Sequence, residues 1–358
     1  MIKKLLLFFF ILSLCNGAFA GGPLVKGGRK VMQSFTLGNT HVKFLPEIMR
    51  PYYFNLESRF FDAKINGVRY PKLSASNDGK ILSAAIQFKA DLAFFQAHAH
   101  QIVQNIKSNV FVGPVDYQNY LPRDIDYLYI GEIHNEGFIQ DEISQFIAQL
   151  PSIYPNRTIY LATEFIPAKE VPFSRQTQLA YSDKALDSWF EGNEDHASFI
   201  VFQSARKGGL QIVGLEPQLA LLEQGLVDGT YIAEEDFEDY ATSMEGVYFR
   251  NNYWARIVRE IRRRDPEALI VVYGGIDHVA YHNPFCMPSL IGGKGFVMQV
   301  LTPRYLPEAN PLFRHFRESD AIRDMFLSSE EAKLVNSWKN PQSYNHLLGV
   351  DLSIIVHE

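Results

Sequence analysis

Residues 268–278 read Ala-Leu-Ile-Val-Val-Tyr-Gly-Gly-Ile-Asp-His, and they decide the fold class. The apolar run Ala268–Tyr273 is typical of a strand that is buried on both faces, as the strands of parallel sheets are. Shorter runs of the same kind lie at Tyr127–Ile130, Thr158–Ala162, Leu210–Val213 and Phe296–Leu301. Because amphipathic segments separate these runs, we predict an α/β fold with a mostly parallel, twisted sheet flanked by helices.

The predicted helices lie between these strands. Apolar residues recur at helical spacing in four segments: Glu142–Leu150, a region through Trp189, Phe199–Ala205 and Tyr253–Ile261. The C-terminal run Leu347–Val356 is predicted to add an edge strand. Residues 21–115 are broken by Gly, Pro and Asn and predict an N-terminal elaboration, so that the α/β domain spans residues 116–358.

The first 20 residues have the pattern of a secretory signal peptide. Lys3 and Lys4 precede the apolar run Leu5–Leu14, and Ala18-Phe19-Ala20 supplies the small residues of a cleavage site. The apolar run is shorter than the roughly 20 residues that a membrane-spanning helix needs. We therefore expect cleavage after Ala20, export to the periplasm or the medium, and no later transmembrane segment.

Composition excludes several classes of protein. With 358 residues, 47% hydrophobic and 21% charged, the chain is neither disordered nor fibrous. A formal net charge of -6 gives no electrostatic reason to expect nucleic acid as a partner. Signal cleavage would leave Cys286 as the remaining cysteine, which excludes an intrachain disulfide in the exported form.

Polar groups follow or end four of the predicted strands. They are Gly131-Glu132-Ile133-His134, Glu164, Glu216 and Gly274-Gly275-Ile276-Asp277-His278. Because the carboxyl ends of parallel strands meet at one edge of the sheet, we expect these groups to converge there. We expect the glycines at the strand exits to permit sharp turns that bring the side chains over that edge.

Two kinds of chemistry suit this set of residues. Imidazoles and carboxylates are ligands of Zn, Mn or Co, and a metal held by two histidines and two or three carboxylates at this edge would acidify a bound water. Without a metal, a carboxylate beside a histidine acts as a general acid or base. The residues alone leave both alternatives open.

The order of these motifs resembles the Tiki/ChaN/erythromycin-esterase-like superfamily. The shared pattern covers about residues 127–300: a strand followed by G-E-x-H, a Glu ending the next strand, a helix starting with Arg-Asn or Arg-Asp, and G-x-x-H after a late strand. Tiki-type members are metal-dependent proteases. Esterase-type members hydrolyse with His and Glu without an obligatory metal, and ChaN-type members bind haem.

The resemblance assigns roles residue by residue. It implies Glu132, His134, Glu164 and His278 as catalytic residues and as metal ligands. Arg250 becomes a substrate anchor, and we add Asn251 and Glu216 to the substrate-binding set. Asn251 stands where many relatives have Asp, which predicts a charge missing from the site. A non-catalytic binding or toxin-associated domain is one reading of that departure.

The sequence thus predicts an exported, metal-dependent hydrolase of ester, amide or peptide bonds in a small molecule or a peptide. The alternative is a haem- or iron-binding protein of the ChaN type with little or no catalysis. In that case Tyr129, Tyr273 or Tyr281 would supply a phenolate to haem iron. His282, four residues after His278, is a candidate second ligand if the segment is helical.

Overall fold

The fold is described from a computed structural model. It covers residues 114–134, 136–169, 178–191, 198–217, 244–281, 283, 285–302 and 350–356, with Ala97 and the strand segments 35–37, 40–42, 64–65, 68–69, 110–112 and 332–337. The chain divides into two compact units, residues 1–82 with 220–246, and residues 83–219 with 247–358. The predicted signal peptide lies outside the described residues, so export stays a prediction.

The described part of the first unit consists of two short antiparallel strand pairs. They are β1 (Phe35–Leu37) with β2 (Thr40–Val42), and β3 (Lys64–Ile65) with β4 (Val68–Arg69).

The second unit is built on an eight-stranded sheet. Its strands are β5 (Val110–Val112), β6 (Tyr127–Glu132), β7 (Ile159–Pro167), β8 (Gln211–Glu216), β9 (Leu269–Gly275), β10 (Gly295–Leu301), β11 (Ala332–Ser337) and β12 (Leu352–Val356). They lie in the order β5-β11-β12-β10-β6-β9-β7-β8. All neighbours from β12 to β8 pair in parallel, and β11 and β5 add antiparallel pairs. The predicted α/β fold with a mostly parallel sheet is confirmed.

The antiparallel part of the sheet, β5-β11-β12, differs from the sequence-based expectation in the position of β12. The C-terminal run was expected at an edge, but β12 lies between β10 and β11, so that prediction is wrong. The strand is wholly buried, as its apolar sequence requires. The edge on that side is β5, which lies within the segment predicted as an N-terminal elaboration.

Six α-helices are described, together with a 3-10 turn at Tyr117–Asn119. They are α1 (Gly137–Ile153), α2 (Asp183–Phe190), α3 (Phe199–Lys207), α4 (Met244–Arg264), α5 (Ile276–Val279) and α6 (Met287–Ile291). Helix α1 buries Ile139, Ile143, Phe146 and Leu150, which recur at helical spacing along one face. That face packs on α3, β10 and β12. None of the described helices combines the length and the apolar character that crossing a bilayer requires.

Helices cover both faces of the sheet. Leu128 and Ile130 of β6 belong to the same apolar cluster as Phe146 of α1. Gly131, between them and Glu132, faces the other way, because a Cβ on it would meet Ile276 of α5 at 2.5 Å. Successive side chains of a strand point to opposite faces, so α1 and α5 lie on opposite sides of the sheet.

The glycines near the strand ends have another role than the one expected. Gly131, Gly214 and Gly274 lie inside strands and not in turns. A Cβ on Gly214 would lie 2.0 Å from the carbonyl oxygen of Pro167, where the register between β7 and β8 shifts. Close approach of neighbouring groups, and not a sharp turn, therefore requires glycine at these positions.

Candidate active site

All seven predicted site residues lie together at the carboxyl edge of the parallel strands. They are Glu132, His134, Glu164, Glu216, Arg250, Asn251 and His278, and side-chain contacts among them are given below. His134 and His278 are 144 residues apart in the sequence (278 − 134), yet both lie within 3.9 Å of Glu164. The roles of these residues stay predictions.

Glu132 ends β6 and binds His134. Its Oε1 lies 3.2 Å from Nδ1 of His134. A carboxylate accepts hydrogen bonds, so Nδ1 carries the hydrogen and Nε2 is left as the basic nitrogen of a neutral ring. Burial lowers the pKa of His134, but the hydrogen bond to Glu132 and the charges of Glu164 and Glu132 outweigh burial, and the net shift is upward. The His134 side chain is 20% exposed, so it is accessible from outside.

Two further residues bind Glu132, and neither was in the predicted set for this role. Gln140 of α1 donates from Nε2 to both carboxylate oxygens at 3.0 Å. The hydroxyl of Tyr273 donates to Oε2 at 2.6 Å. The carboxylate is therefore held from both sides within a buried setting.

Glu164 lies at the centre of the site. It was expected at the end of a strand but lies inside β7, two residues before Ile166. Its Oε2 accepts a hydrogen bond from the Gly275 N–H at 2.8 Å, and its Oε1 accepts one from Arg250 Nη2 at 2.5 Å. Burial raises the pKa of this carboxyl, but the charge of Arg250 lowers it well below its usual range, with further contributions from His278, His134 and the Gly275 N–H. Glu164 is therefore ionised at neutral pH.

His278 is held by Asn251. Asn251 Nδ2 donates to the Phe285 carbonyl at 2.8 Å, so its Oδ1 is turned toward Nδ1 of His278 at 2.6 Å. Nδ1 therefore carries the hydrogen, and Nε2 faces Glu164 Oε1 at 3.7 Å. Burial lowers the pKa of His278 to about 3; Glu164 opposes the shift, and Arg250 and His134 add to it. His278 is a neutral imidazole at neutral pH.

Asn251 is consequently not a gap in the site. We predicted a missing charge because Asn251 replaces the Asp of many relatives. The amide of Asn251 is buried, and both its nitrogen and its oxygen form hydrogen bonds. An amide oxygen performs the same task as a carboxylate would here, since it accepts the Nδ1 hydrogen of His278. It does so without adding a negative charge beside the ring.

Arg250 joins two carboxylates. It lies in the second turn of α4, not at the start of the helix as expected. Nε donates to Glu216 Oε1 at 2.9 Å, and Nη2 donates to Glu216 Oε2 at 2.9 Å as well as to Glu164. Burial raises the pKa of Glu216, Arg250 opposes this, and the neighbouring charge of Glu164 adds to it. The guanidinium is thus the positive centre for two buried acids.

Glycines of β9 make room for the central residues. A Cβ on Gly274 would lie 2.7 Å from Glu164 Oε2, and a Cβ on Gly275 would lie 3.0 Å from His134 Nε2. Real Cβ atoms essentially never approach as closely as the first distance. The Gly-Gly pair that marked the motif in the sequence therefore permits the carboxylate and the imidazole to lie against the strand.

The arrangement of these residues does not fit the predicted metal centre. Every carboxylate oxygen of Glu132 and Glu164 already accepts a hydrogen bond, and Arg250 places a positive charge on Glu164. Within the described ranges, no three His, Cys, Asp or Glu residues are grouped to hold a metal ion. Metal binding stays a prediction, and no step below depends on it.

The tyrosines considered for haem have other contacts. The hydroxyl of Tyr273 donates to Glu132, and that of Tyr281 donates to Asp351 at 2.8 Å. Tyr129 is completely buried. His282 lies outside the described residues. These contacts do not fit a phenolate ligand from Tyr273 or Tyr281, and haem binding is likewise still a prediction.

The chain has weak structural likeness to known proteins. No family model matches the chain, and no curated protein matches it. Among solved structures, the type III effector HopBA1 is 16% identical, with a TM-score of 0.39, over 66% of this chain and 89% of that chain. A mutant of erythromycin esterase EreC in its open conformation is 12% identical, also with a TM-score of 0.39, over 65% of this chain and 91% of that chain. Likeness at this level says nothing about the reaction, which the site itself has to support.

Proposed function

We propose that this protein hydrolyses ester or amide bonds, peptide bonds included, with His134 as the general base and without an obligatory metal ion. The observation that carries the proposal is the hydrogen bond between Glu132 and Nδ1 of His134, which gives the ring one tautomer. A carboxylate behind an imidazole is the arrangement by which many hydrolases orient a histidine and stabilise it once it is protonated.

The proposed first step is removal of a proton from water. Neutral His134 takes the proton at Nε2 while the water oxygen forms a bond to the carbonyl carbon of the substrate. The protonated ring then returns this proton to the leaving alcohol or amine as the C–O or C–N bond breaks and the carbonyl forms again. General-base catalysis of this kind is worth about 10²- to 10⁴-fold in rate. The raised pKa of His134 predicts that activity increases with pH through the range in which this ring loses its proton.

Arg250 is proposed to stabilise the negative oxygen that forms on the carbonyl. Its Nε and Nη2 are committed to Glu216 and Glu164, whereas Nη1 has no hydrogen-bond partner in the described part of the chain. A guanidinium fixed by two carboxylates does not need to reorganise during the reaction, and preorganised donors of this kind lower the barrier.

His278 is proposed to orient the attacking water. The ring is neutral, and its Nδ1–H donates a hydrogen bond to Asn251 Oδ1. Its Nε2 therefore carries a lone pair that can accept a hydrogen bond from the water. Glu164 lies between the two imidazoles and offers its negative charge to the imidazolium that forms on His134.

The test is hydrolysis by the purified full chain of a panel of p-nitrophenyl esters, alkyl esters and peptide amides, with and without a chelator. We expect turnover that the chelator leaves unchanged, and a loss of about 10²- to 10⁴-fold in kcat for His134→Ala. Arg206→Ala, a change of an exposed side chain of α3, is the control and should keep full activity.

Two outcomes would overturn the proposal. The first is an inactive wild-type protein across the whole panel, and the second is His134→Ala with the kcat of the wild type. Activity that disappears in chelator would replace the metal-free reaction with the metal-dependent one predicted from the sequence.

The proposed setting is outside the cytoplasm, since residues 1–20 have the charge and apolar pattern of a signal peptide. Expression with a C-terminal tag and mass measurement of the exported product checks this. We expect a mature chain that begins at Gly21, and a product retaining Met1 in the cytoplasmic fraction would contradict it.

A further inference from the structure

Gln140 lies in the first turn of α1 and is completely buried. Its Nε2 donates to both oxygens of Glu132 at 3.0 Å, across eight positions of sequence. A buried glutamine inside a helix is ordinarily a residue of the core, whose contacts stabilise the fold.

The orientation of the Gln140 amide indicates another role. Carboxylate oxygens only accept hydrogen bonds, so the amide has to present Nε2 to Glu132. As a consequence its Oε1 is buried without a hydrogen-bond partner among the described residues. Leaving an acceptor unsatisfied costs stability, and an apolar side chain of similar size would avoid that cost.

Tyr273 completes the support of Glu132 from the opposite side. Its hydroxyl donates to Oε2 at 2.6 Å. A hydrogen bond from the Ser198 side chain reaches the same hydroxyl and lowers the pKa of Tyr273, but burial and Glu132 raise it by more, so the net shift is upward. The hydroxyl therefore keeps its hydrogen and remains a donor to the carboxylate.

These contacts fix the direction of Oε1. Oε2 accepts from Tyr273 and Gln140, and Oε1 accepts from Gln140 while it lies against Nδ1 of His134. Without Gln140, the carboxylate keeps only the support of Tyr273 on Oε2 and is free to rotate. His134 would then lose a fixed acceptor for its Nδ1 hydrogen.

We infer that Gln140 is a positioning residue, which aims Glu132 at His134 and thereby sets the tautomer of the proposed base. The inference rests on the proposed function for its effect on rate, but its effect on His134 is independent of any reaction. The hydrogen bonds of Gln140 go to Glu132, and it acts on His134 through that carboxylate.

The same helix supplies a matched control. Gln149 also bonds through both ends of its amide, donating to the Val115 carbonyl at 3.0 Å and accepting from the Tyr117 N–H at 3.3 Å. Both partners are backbone groups away from Glu132. Gln149→Leu therefore makes the same chemical change as Gln140→Leu while leaving the carboxylate contacts intact.

The experiment compares the full chain with Gln140→Leu and Gln149→Leu in three measurements. These are ester-hydrolysis kinetics, the melting temperature, and the tautomer of His134 by ¹⁵N NMR of histidine-labelled protein. For Gln140→Leu we expect kcat to fall about 10- to 100-fold and KM to change by less than about 2-fold. We also expect the ¹⁵N spectrum of His134 to change from the single Nδ1–H tautomer to a mixture of the Nδ1–H and Nε2–H tautomers. Gln149→Leu should keep kcat and the tautomer, whatever happens to its melting temperature.

The outcomes separate this inference from the proposed function. If the wild type is inactive but the tautomer of His134 still depends on Gln140, the proposed hydrolase function is wrong and the positioning role of Gln140 holds. A wild-type kcat and tautomer in Gln140→Leu, or equal effects in both variants, would overturn the inference alone. If Gln140→Leu does not fold, Tyr273→Phe removes the other donor with almost no change in volume. We then expect a smaller loss of kcat and a partial tautomer shift, and the absence of both would overturn the inference.

Discussion

Arg250 holds two buried carboxylates with one guanidinium group. The Arg250 side chain is 8% exposed, and the side chains of Glu164 and Glu216 are 1% and 4% exposed. Three ionisable groups at this depth are stable only because each has a partner of opposite charge or a hydrogen-bond donor. The cluster therefore depends on Arg250 more than on either acid.

We expect Arg250→Met to lower the free energy of unfolding by about 3–5 kcal/mol, since it leaves buried acids without their cation. The control is Arg206→Met, which breaks exposed ion pairs with Asp187 and Asp183 and should leave the free energy of unfolding nearly unchanged. Urea unfolding of both variants measures the difference. Equal losses would contradict the importance assigned to Arg250.

Asn251 provides a second prediction for a single residue. Asn251→Leu removes the partners of His278 Nδ1 and of the Phe285 carbonyl, and we expect a cost of about 1–3 kcal/mol in unfolding free energy. Asn252, the next residue of α4, donates to the Tyr248 carbonyl from a half-buried position, so Asn252→Leu should cost less. A larger loss for Asn252→Leu than for Asn251→Leu would refute the assignment.

Among the elements, β9 and α1 bring the site together. Strand β9 is buried along its whole length and ends in Gly274 and Gly275, against which Glu164 and His134 lie. Helix α1 begins three residues after His134 and carries Gln140 back onto Glu132. The site is therefore built where one helix start meets the ends of neighbouring strands.

The glycine of β9 next to His134 can be tested directly. Gly275→Ala places a Cβ 3.0 Å from His134 Nε2, and we expect a loss of about 10-fold or more in kcat. Gly137→Ala at the start of α1 meets nothing within 4 Å, so it should keep activity and add about 0.5–1 kcal/mol of stability. Steady-state kinetics and thermal unfolding of the pair measure both effects. Full activity in Gly275→Ala would show that the approach is not needed.

The sequence predicted the elements of the site better than their details. Apolar runs ending in polar groups were enough to predict that Glu132, Glu164 and His278 meet at one sheet edge. Gln140 escaped notice because a lone glutamine in a helix carries no pattern, and its contact with Glu132 arises from the packing of α1. The position of β12 inside the sheet was also missed, since an apolar run does not reveal which strands lie beside it.

For the whole molecule, the buried histidines predict how stability depends on pH. An unfolded histidine binds a proton below about pH 6.5. Folded His278 has its pKa lowered to about 3, so it stays neutral through that range. The unfolded state therefore gains this proton first, so His278 by itself lowers the free energy of unfolding as pH decreases from 6.5 toward 3, by up to about 1.4 kcal/mol per pH unit. Glu216 and Asp277, whose pKa values are raised to about 7, act in the opposite direction.

We expect the free energy of unfolding of His278→Gln, relative to that of the wild type, to increase as pH falls from 6.5 to 4. His134 is the control, because its pKa is raised and its contribution is present below pH 6.5 and lost as pH rises. His134→Gln should therefore change the slope above pH 6.5 and not below it. Denaturant unfolding at several pH values tests both, and an unchanged slope in His278→Gln would contradict a neutral, buried ring.

Strand β12, which separates β10 from β11, is synthesised after every other described strand. During translation, β10 and β11 consequently cannot pair with β12 until Val356 has left the ribosome. A premature stop codon anywhere upstream of Leu352 would delete an interior strand instead of trimming a tail. A stop codon between β11 and Leu352 is therefore expected to be as severe as one far upstream.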